Sequence, residues 1–203
     1  MHAKALRHLR RADPVLGAVI ARVGACPLKP HTEGTHFDYV VRSIVYQQLS
    51  GKAAATIYGR VLGLYGGAPP TPAQLVKTAE TTLREVGLST RKAEYVRDLA
   101  IGVRSRALPI DRLHQMTDDE VIETLVSVRG IGRWTAQMVL MFRLGRPDVF
   151  PELDLGVQKG VQQLLALRKL PTPEKMTRIA ERWAPYRTVA AWYLWRLLDL
   201  EEE

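Results

Sequence analysis

Asp154 is the carboxylate best placed for chemistry in this chain. It follows Val149-Phe150-Pro151, an extended stretch because the residue before a proline avoids helix. It precedes an apolar helical pattern that begins at Leu155. An aspartate there can simply cap a helix. It can also stabilise positive charge that develops on a bound substrate. Upstream, Gly130-Ile131-Gly132 separates two helix-forming segments. Two glycines around one isoleucine are too short for a loop and too rich in glycine for continuous helix, so they read as a tight hairpin. The free N–H groups and positive dipole end of the second helix then face the turn, which suits a phosphate. Trp134 follows at once, and Trp195 lies on the last helical segment. Each tryptophan alone is ordinary core. A carboxylate, two indoles and a phosphate-binding turn together fit chemistry on a nucleotide base. An extruded base needs stacking surfaces, and a carboxylate beside its sugar can stabilise C1′ as the base departs.

The elements that position these groups are helical. Asp13-Pro14 starts a helix with Val15, Leu16, Val19, Ile20 and Val23 on one face, and Gly24 ends it. Cys26-Pro27-Leu28-Lys29-Pro30 is a rigid connector. Thr35 or Asp38 starts the next helix, which runs into Gln47-Gln48-Leu49-Ser50-Gly51. Two adjacent glutamines there can be a plain polar helix end. Gly51 reads as a break before a helix over 53–65. Two short helices follow, over 73–78 and 79–86, and Ser89 caps one over 91–105. The cations on that helix read as a solvated face, with Arg91 and Lys92 set apart. Thr117-Asp118-Asp119-Glu120 is a capping box opening the first hairpin helix. Helices over 134–144, 155–167, 172–183 and 188–198 complete the chain, with no alternating strand pattern. The expected fold is all-α: about ten helices in two helical subdomains with a cleft between them, and a helix-hairpin-helix near 121–144. The subdomains are a barrel-like one over 34–143, and one built from 1–33 plus 144–203.

The 203 residues suffice for a sizeable core. Lys plus Arg number 29 against 21 Asp plus Glu, a formal charge of +8, which favours polyanionic partners such as nucleic acid. The single cysteine, Cys26, excludes an internal disulfide and a cysteine-rich metal site. The five histidines do not cluster, so a metal enzyme is not expected. No stretch approaches the ~18 apolar residues of a membrane span, and Met1-His2-Ala3-Lys4-Ala5 lacks the apolar core of a signal peptide. A cytoplasmic monomer acting at the nucleoid is expected.

Gly130-Ile131-Gly132-Arg133-Trp134-Thr135-Ala136, then Asp148-Val149-Phe150-Pro151 and Asp154, resemble the helix-hairpin-helix base-excision DNA glycosylases, in particular their 3-methyladenine DNA glycosylase II branch. The resemblance extends to 42–50, to Ala180-Glu181-Arg182-Trp183-Ala184-Pro185-Tyr186-Arg187 and to Trp195, about residues 13–198 in all. It implies a short form without the amino-terminal β-rich domain of longer relatives. It implies a glycosylase that flips alkylated bases of the 3-methyladenine and 7-methylguanine type out of double-stranded DNA and excises them, with no cofactor required.

By the same resemblance Asp154 is the catalytic aspartate. Gly130, Gly132 and Thr135 hold a DNA phosphate through backbone N–H groups. Carbonyls of Val126, Val128 and Ile131 bind a structural Na+ or K+ at the hairpin. Trp134 and Trp195 are pocket aromatics, and Gln48 is the wedge that enters the duplex. Met138 and Leu155 stand where other members carry tyrosines, which implies a less aromatic pocket. Trp134 stands where lyase-active relatives carry a lysine, so hydrolysis without lyase activity is expected. The four-cysteine cluster of the endonuclease III branch is missing. Two alternatives stay open: a glycosylase for deaminated or oxidised bases, and a non-enzymatic helix-hairpin-helix DNA-binding module.

Overall fold

A computed structural model describes residues 2–200. Every regular element among them is helical, as the all-α expectation requires. The chain divides into two compact units, Met1–Pro30 with Leu140–Glu203, and His31–Val139.

The unit formed by both chain ends contains α1 (Ala3–Ala12), α2 (Pro14–Val23), α10 (Leu155–Leu164), α11 (Pro173–Ala180) and α12 (Arg187–Asp199), with the end of α9 (Arg133–Phe142). Helix α1 is absent from the sequence reading. It carries Lys4, Arg7, Arg10 and Arg11 outward and buries only Ala5 and Leu9, and His2 makes no side-chain cap. So narrow a stripe needs α2 as a partner before it stabilises a helix. The expected helix over 172–183 is also shorter, ending at Ala180 and giving way to a 3-10 turn over Glu181–Trp183.

Buried Asp13 joins these parts. Its Oδ1 accepts the amides of Val15 and Leu16, both at 3.1 Å, and so caps α2. Its Oδ2 accepts the Trp183 indole N–H at 3.0 Å and lies 3.7 Å from the Arg182 guanidinium. A buried carboxylate is tolerated when donors surround it in this way. Helices α10 and α12 touch at Gly160, where an added Cβ would lie 2.6 Å from the Leu194 carbonyl oxygen.

The strap before Asp154 is held as firmly. Arg187 forks onto Asp148 at 2.7 and 2.8 Å, a bidentate pair. The Thr188 hydroxyl donates to the Arg146 carbonyl at 2.7 Å and accepts the Val149 amide at 3.0 Å. Val149 and Phe150 are buried, so the strap enters α10 from a fixed direction.

The second unit holds α3 (His36–Tyr46), α4 (Gly51–Gly63), α5 (Pro72–Lys77), α6 (Glu80–Glu85), α7 (Thr90–Arg104), α8 (Asp118–Val126) and the start of α9. Thr35 caps α3 and Asp38 reciprocates, so both expected start residues take part in one capping box. Gly51 is no break: Ser50 caps α4 and Gly51 is its first residue. A 3-10 segment over Ile110–Gln115, buried at Ile110 and Leu113, was not expected, being too short to show a helical period. Helix α7 packs against α3, α5 and α6 and buries Ala93, Val96, Leu99 and Ala100.

Candidate functional site

The hairpin follows from local chemistry. Thr117 and Glu120 close the expected capping box at the start of α8. Helix α8 ends at Val126, the Val128 amide donates to the Leu125 carbonyl, and the Ile131 amide turns back to the Val128 carbonyl at 3.0 Å. Gly130 sits at φ +86°, a conformation that favours glycine. Space demands glycine there as well, since an added Cβ would fall into the Tyr95 ring. Arg129 is held beside it by Glu94 at 2.9 Å and Asp98 at 3.0 Å. Gly132 differs: an added Cβ meets nothing within 4 Å. Nothing inside the protein requires a glycine there, and the surface at that residue is open.

Helix α9 begins just after Gly132, with the Ala136 amide bonded to the Gly132 carbonyl at 3.1 Å. Its first turn carries Arg133, Trp134 and Thr135, at the end where the helix dipole is positive. Thr135 is buried and its hydroxyl is used internally, accepting the Gln47 side-chain amide at 3.4 Å.

Trp134, Thr135, Met138 and Gln48 line one pocket of about 330 Å³ in this unit. Gln47, Leu49, Tyr39, Arg42, Ser43 and Tyr46 complete its wall. The last four were missed by sequence reasoning. Their signal is plain once sought: Tyr39, Arg42, Ser43 and Tyr46 recur at i, i+3, i+4 and i+7, and the positions between them, Val40, Val41, Ile44 and Val45, are apolar. The Arg42 guanidinium stacks 4.5 Å from the Tyr46 ring centre, so one wall is both cationic and aromatic. Gln48 is exposed and adopts φ +53°, an uncommon conformation for a residue other than glycine.

Asp154, Leu155 and Trp195 lie in the other unit. Asp154 caps α10, its Oδ1 accepting the Val157 amide at 2.8 Å. The same oxygen accepts the Trp195 indole N–H at 2.8 Å. The ordinary capping role and the expected functional carboxylate thus coincide in one half-buried residue. Trp195 also stacks at a tilt against Phe142, with ring centres 5.9 Å apart. Leu155, 55% exposed, is not among the residues lining the pocket in the hairpin unit. Gly156 was missed: an added Cβ would stand 2.9 Å from Cδ1 of Trp195 and 3.1 Å from Oδ1 of Asp154. Among the described residues no group of three or more His, Cys, Asp or Glu could hold a metal ion, and no helix is long and apolar enough to cross a membrane.

Two helical units, a glycine hairpin feeding a helix start and an aspartate one helix later are the features this chain shares with a known family of DNA repair proteins. The chain belongs to the HhH-GPD superfamily of base excision DNA repair proteins, whose family description matches residues 41–185. It is 30% identical to the alkylbase DNA glycosidase-like protein mag2 of Schizosaccharomyces pombe, across 100% of this chain and 96% of that one. It is similar in structure to a 3-methyladenine DNA glycosylase of the same yeast, Mag1, solved in complex with abasic DNA. There the TM-score is 0.87 at 32% identity, covering 99% of each chain. A DNA-3-methyladenine glycosidase from Bacillus halodurans aligns with a TM-score of 0.85 at 39% identity, covering 95% of this chain and 88% of that one.

Proposed function

We propose that this protein is a monofunctional DNA glycosylase that removes alkylated bases of the 3-methyladenine and 7-methylguanine type from duplex DNA. The observation that carries the reading is the Asp154 carboxylate, fixed by two donors on one oxygen at the start of α10. The names of the relatives support the substrate class.

In this reading the positively charged surface gathers DNA through its phosphates. The backbone N–H groups of Gly130, the open Gly132 and Thr135 take one phosphate. Gln48 enters the duplex as the damaged nucleotide rotates out. The base stacks on the aromatic wall that includes Trp134 and Tyr46; within the other unit Trp195 orients Asp154 and Leu155 follows it. The N-glycosidic bond breaks with its electron pair leaving on the base, which an alkyl group has already made cationic. Asp154 stabilises the positive sugar, water adds at C1′, and the water proton passes to solvent. Helix α9 contains no lysine, so it offers no amine for a Schiff base and a lyase step. A Na+ or K+ at the hairpin would be held by the carbonyls of Val126, Val128 and Ile131, neutral oxygens of the kind that hard cations take. The Val128 carbonyl suits such an ion, since it accepts one amide and keeps a second lone pair. It would add positive charge beside the phosphate.

Asp154→Asn tests the reading. The variant should bind a duplex carrying an abasic analogue normally and release 7-methylguanine about a hundred-fold more slowly, or worse. Undiminished release sinks it. One observation favours a second reading, a neutral deaminated or oxidised base. The Arg42 guanidinium in the pocket wall repels a cationic base. A panel of duplexes with single lesions decides, since under that reading hypoxanthine or 8-oxoguanine outpaces 7-methylguanine.

A further inference from the structure

Lys92 lies in the first turn of α7 and, among the described residues, makes no ion pair with a carboxylate. Its ammonium donates to two backbone carbonyls instead, those of Val45 and Gln47, each at 2.7 Å. These belong to the end of α3, where a helix leaves carbonyls without intrahelical donors. A cation there also meets the negative end of the helix dipole. Burial pushes the Lys92 ammonium below the usual lysine range, so this placement has a cost that the two hydrogen bonds offset.

The turn that follows α3 is gripped from a second direction. The side-chain amide of Gln47 donates to the Gly130 carbonyl at 3.0 Å and to the Thr135 hydroxyl at 3.4 Å. Gln47 is thus tied to α7 through its backbone and to the hairpin through its side chain. The next residue, Gln48, is the exposed one at φ +53°. Packing beside this turn is incomplete. A cavity of about 110 Å³ lies there, lined by Val45, Leu49, Ile57, Gly87, Ser89 and Lys92. The polar ties hold what packing leaves loose.

We propose that Lys92 and Gln47 are positioning residues that clamp the turn over 47–49 to the hairpin and hold Gln48 in the backbone pose from which it enters DNA. This rests on the reading of Gln48 as the wedge. The clamp makes phosphate capture and wedge entry one event, because the hairpin backbone that takes the phosphate also carries the acceptor for Gln47.

The full chain with Lys92→Met, Gln47→Ala, Gln48→Ala and the double variant Lys92→Met with Gln48→Ala tests it. Two quantities are measured: single-turnover release of 7-methylguanine, and the fluorescence of 2-aminopurine placed beside an abasic analogue in a duplex. Lys92→Met and Gln47→Ala should each lower the rate about ten-fold and blunt the fluorescence rise, with duplex affinity within about three-fold of the parent. On the Gln48→Ala background, Lys92→Met should add nothing further. Full rate and fluorescence in Gln47→Ala, or an equal Lys92→Met loss with and without Gln48, overturns the clamp. Should Lys92→Met fail to fold, Gln47→Ala, which leaves the α3 end capped, decides between the same two outcomes. A Gln48→Ala variant at full rate and full fluorescence instead removes the wedge reading itself. A slow Gln48→Ala beside a normal Lys92→Met removes the clamp alone.

Discussion

The indole N–H of Trp195 donates to Oδ1 of Asp154 at 2.8 Å, on the same oxygen that accepts the Val157 amide. A tryptophan expected to stack on a base therefore also orients the carboxylate. A hydrogen bond to a charged group contributes roughly 1.5–3 kcal/mol, and its loss lets the carboxylate turn about its side-chain bonds. Trp195→Phe keeps an aromatic ring beside Phe142 and deletes the donor. The single-turnover rate of base release should fall about ten-fold, with DNA affinity unchanged. A Phe variant as fast as the parent means that the bond only supports the helix start.

Gly156 and Gly160 stand one turn apart on α10 and do different things. At Gly160 an added Cβ meets Leu194 backbone, 2.6 Å from the carbonyl oxygen and 3.0 Å from its carbon. Backbone cannot step aside, so Gly160→Ala should destabilise the fold by about 1–3 kcal/mol. At Gly156 the obstacles are side-chain atoms of Trp195 and Asp154. Gly156→Ala should therefore disturb the carboxylate and slow the reaction more than it weakens the fold. Urea unfolding and single-turnover kinetics on both variants compare the two. Equal effects on rate contradict the distinction.

Asp13 is 2% exposed and serves α2, Trp183 and Arg182 together. Replacing it with alanine removes a cap and leaves an indole N–H buried without its acceptor. The combined cost should be about 3 kcal/mol. Chemical denaturation measures it, and a loss under about 1 kcal/mol shows that water replaces the carboxylate. Base release at a temperature where the variant is folded should be normal.

The Tyr193 hydroxyl donates to the Gly24 carbonyl at 2.7 Å inside the unit that contains Asp154. Burial, reinforced by the nearby Cys26 and opposed by Arg10, pushes its phenol up to about 12 from the usual 10.0. An unfolded phenol then loses its proton at a pH where the folded one keeps it. The stabilisation is complete below about pH 10 and lost as the pH rises towards about 12. Stability profiles of the parent and Tyr193→Phe should converge across that window. Parallel profiles contradict it.

Local signals made much of the architecture legible. The capping box at Thr117, the helix start at Thr35 or Asp38, the Asp13-Pro14 start and the hairpin glycines are read within a few residues of chain. Helix α1 is not legible that way, because its stripe is two residues wide and gains its worth from α2. Asp154 shows through its spacing from the hairpin, but the orientation of its carboxylate belongs to Trp195 on another helix. Gly156 looks like a weak helix residue until α12 lies beside it. Lys92 stands apart from the solvated cations of its helix already in the sequence, but its two acceptors, carbonyls at the end of α3, do not show there. What sequence concealed in each case is a contact between elements far apart in the chain.

The Tyr95 ring is covered on one side by the Gly130 backbone and approached by the Arg129 guanidinium, 5.7 Å from its centre. A ring so covered cannot turn about its axis while the hairpin is seated. Each half-turn requires the backbone above it to lift. The exchange of the two edges of Tyr95, followed by nuclear magnetic resonance, is therefore a clock for the breathing of the hairpin. A phosphate held across that turn should slow the clock.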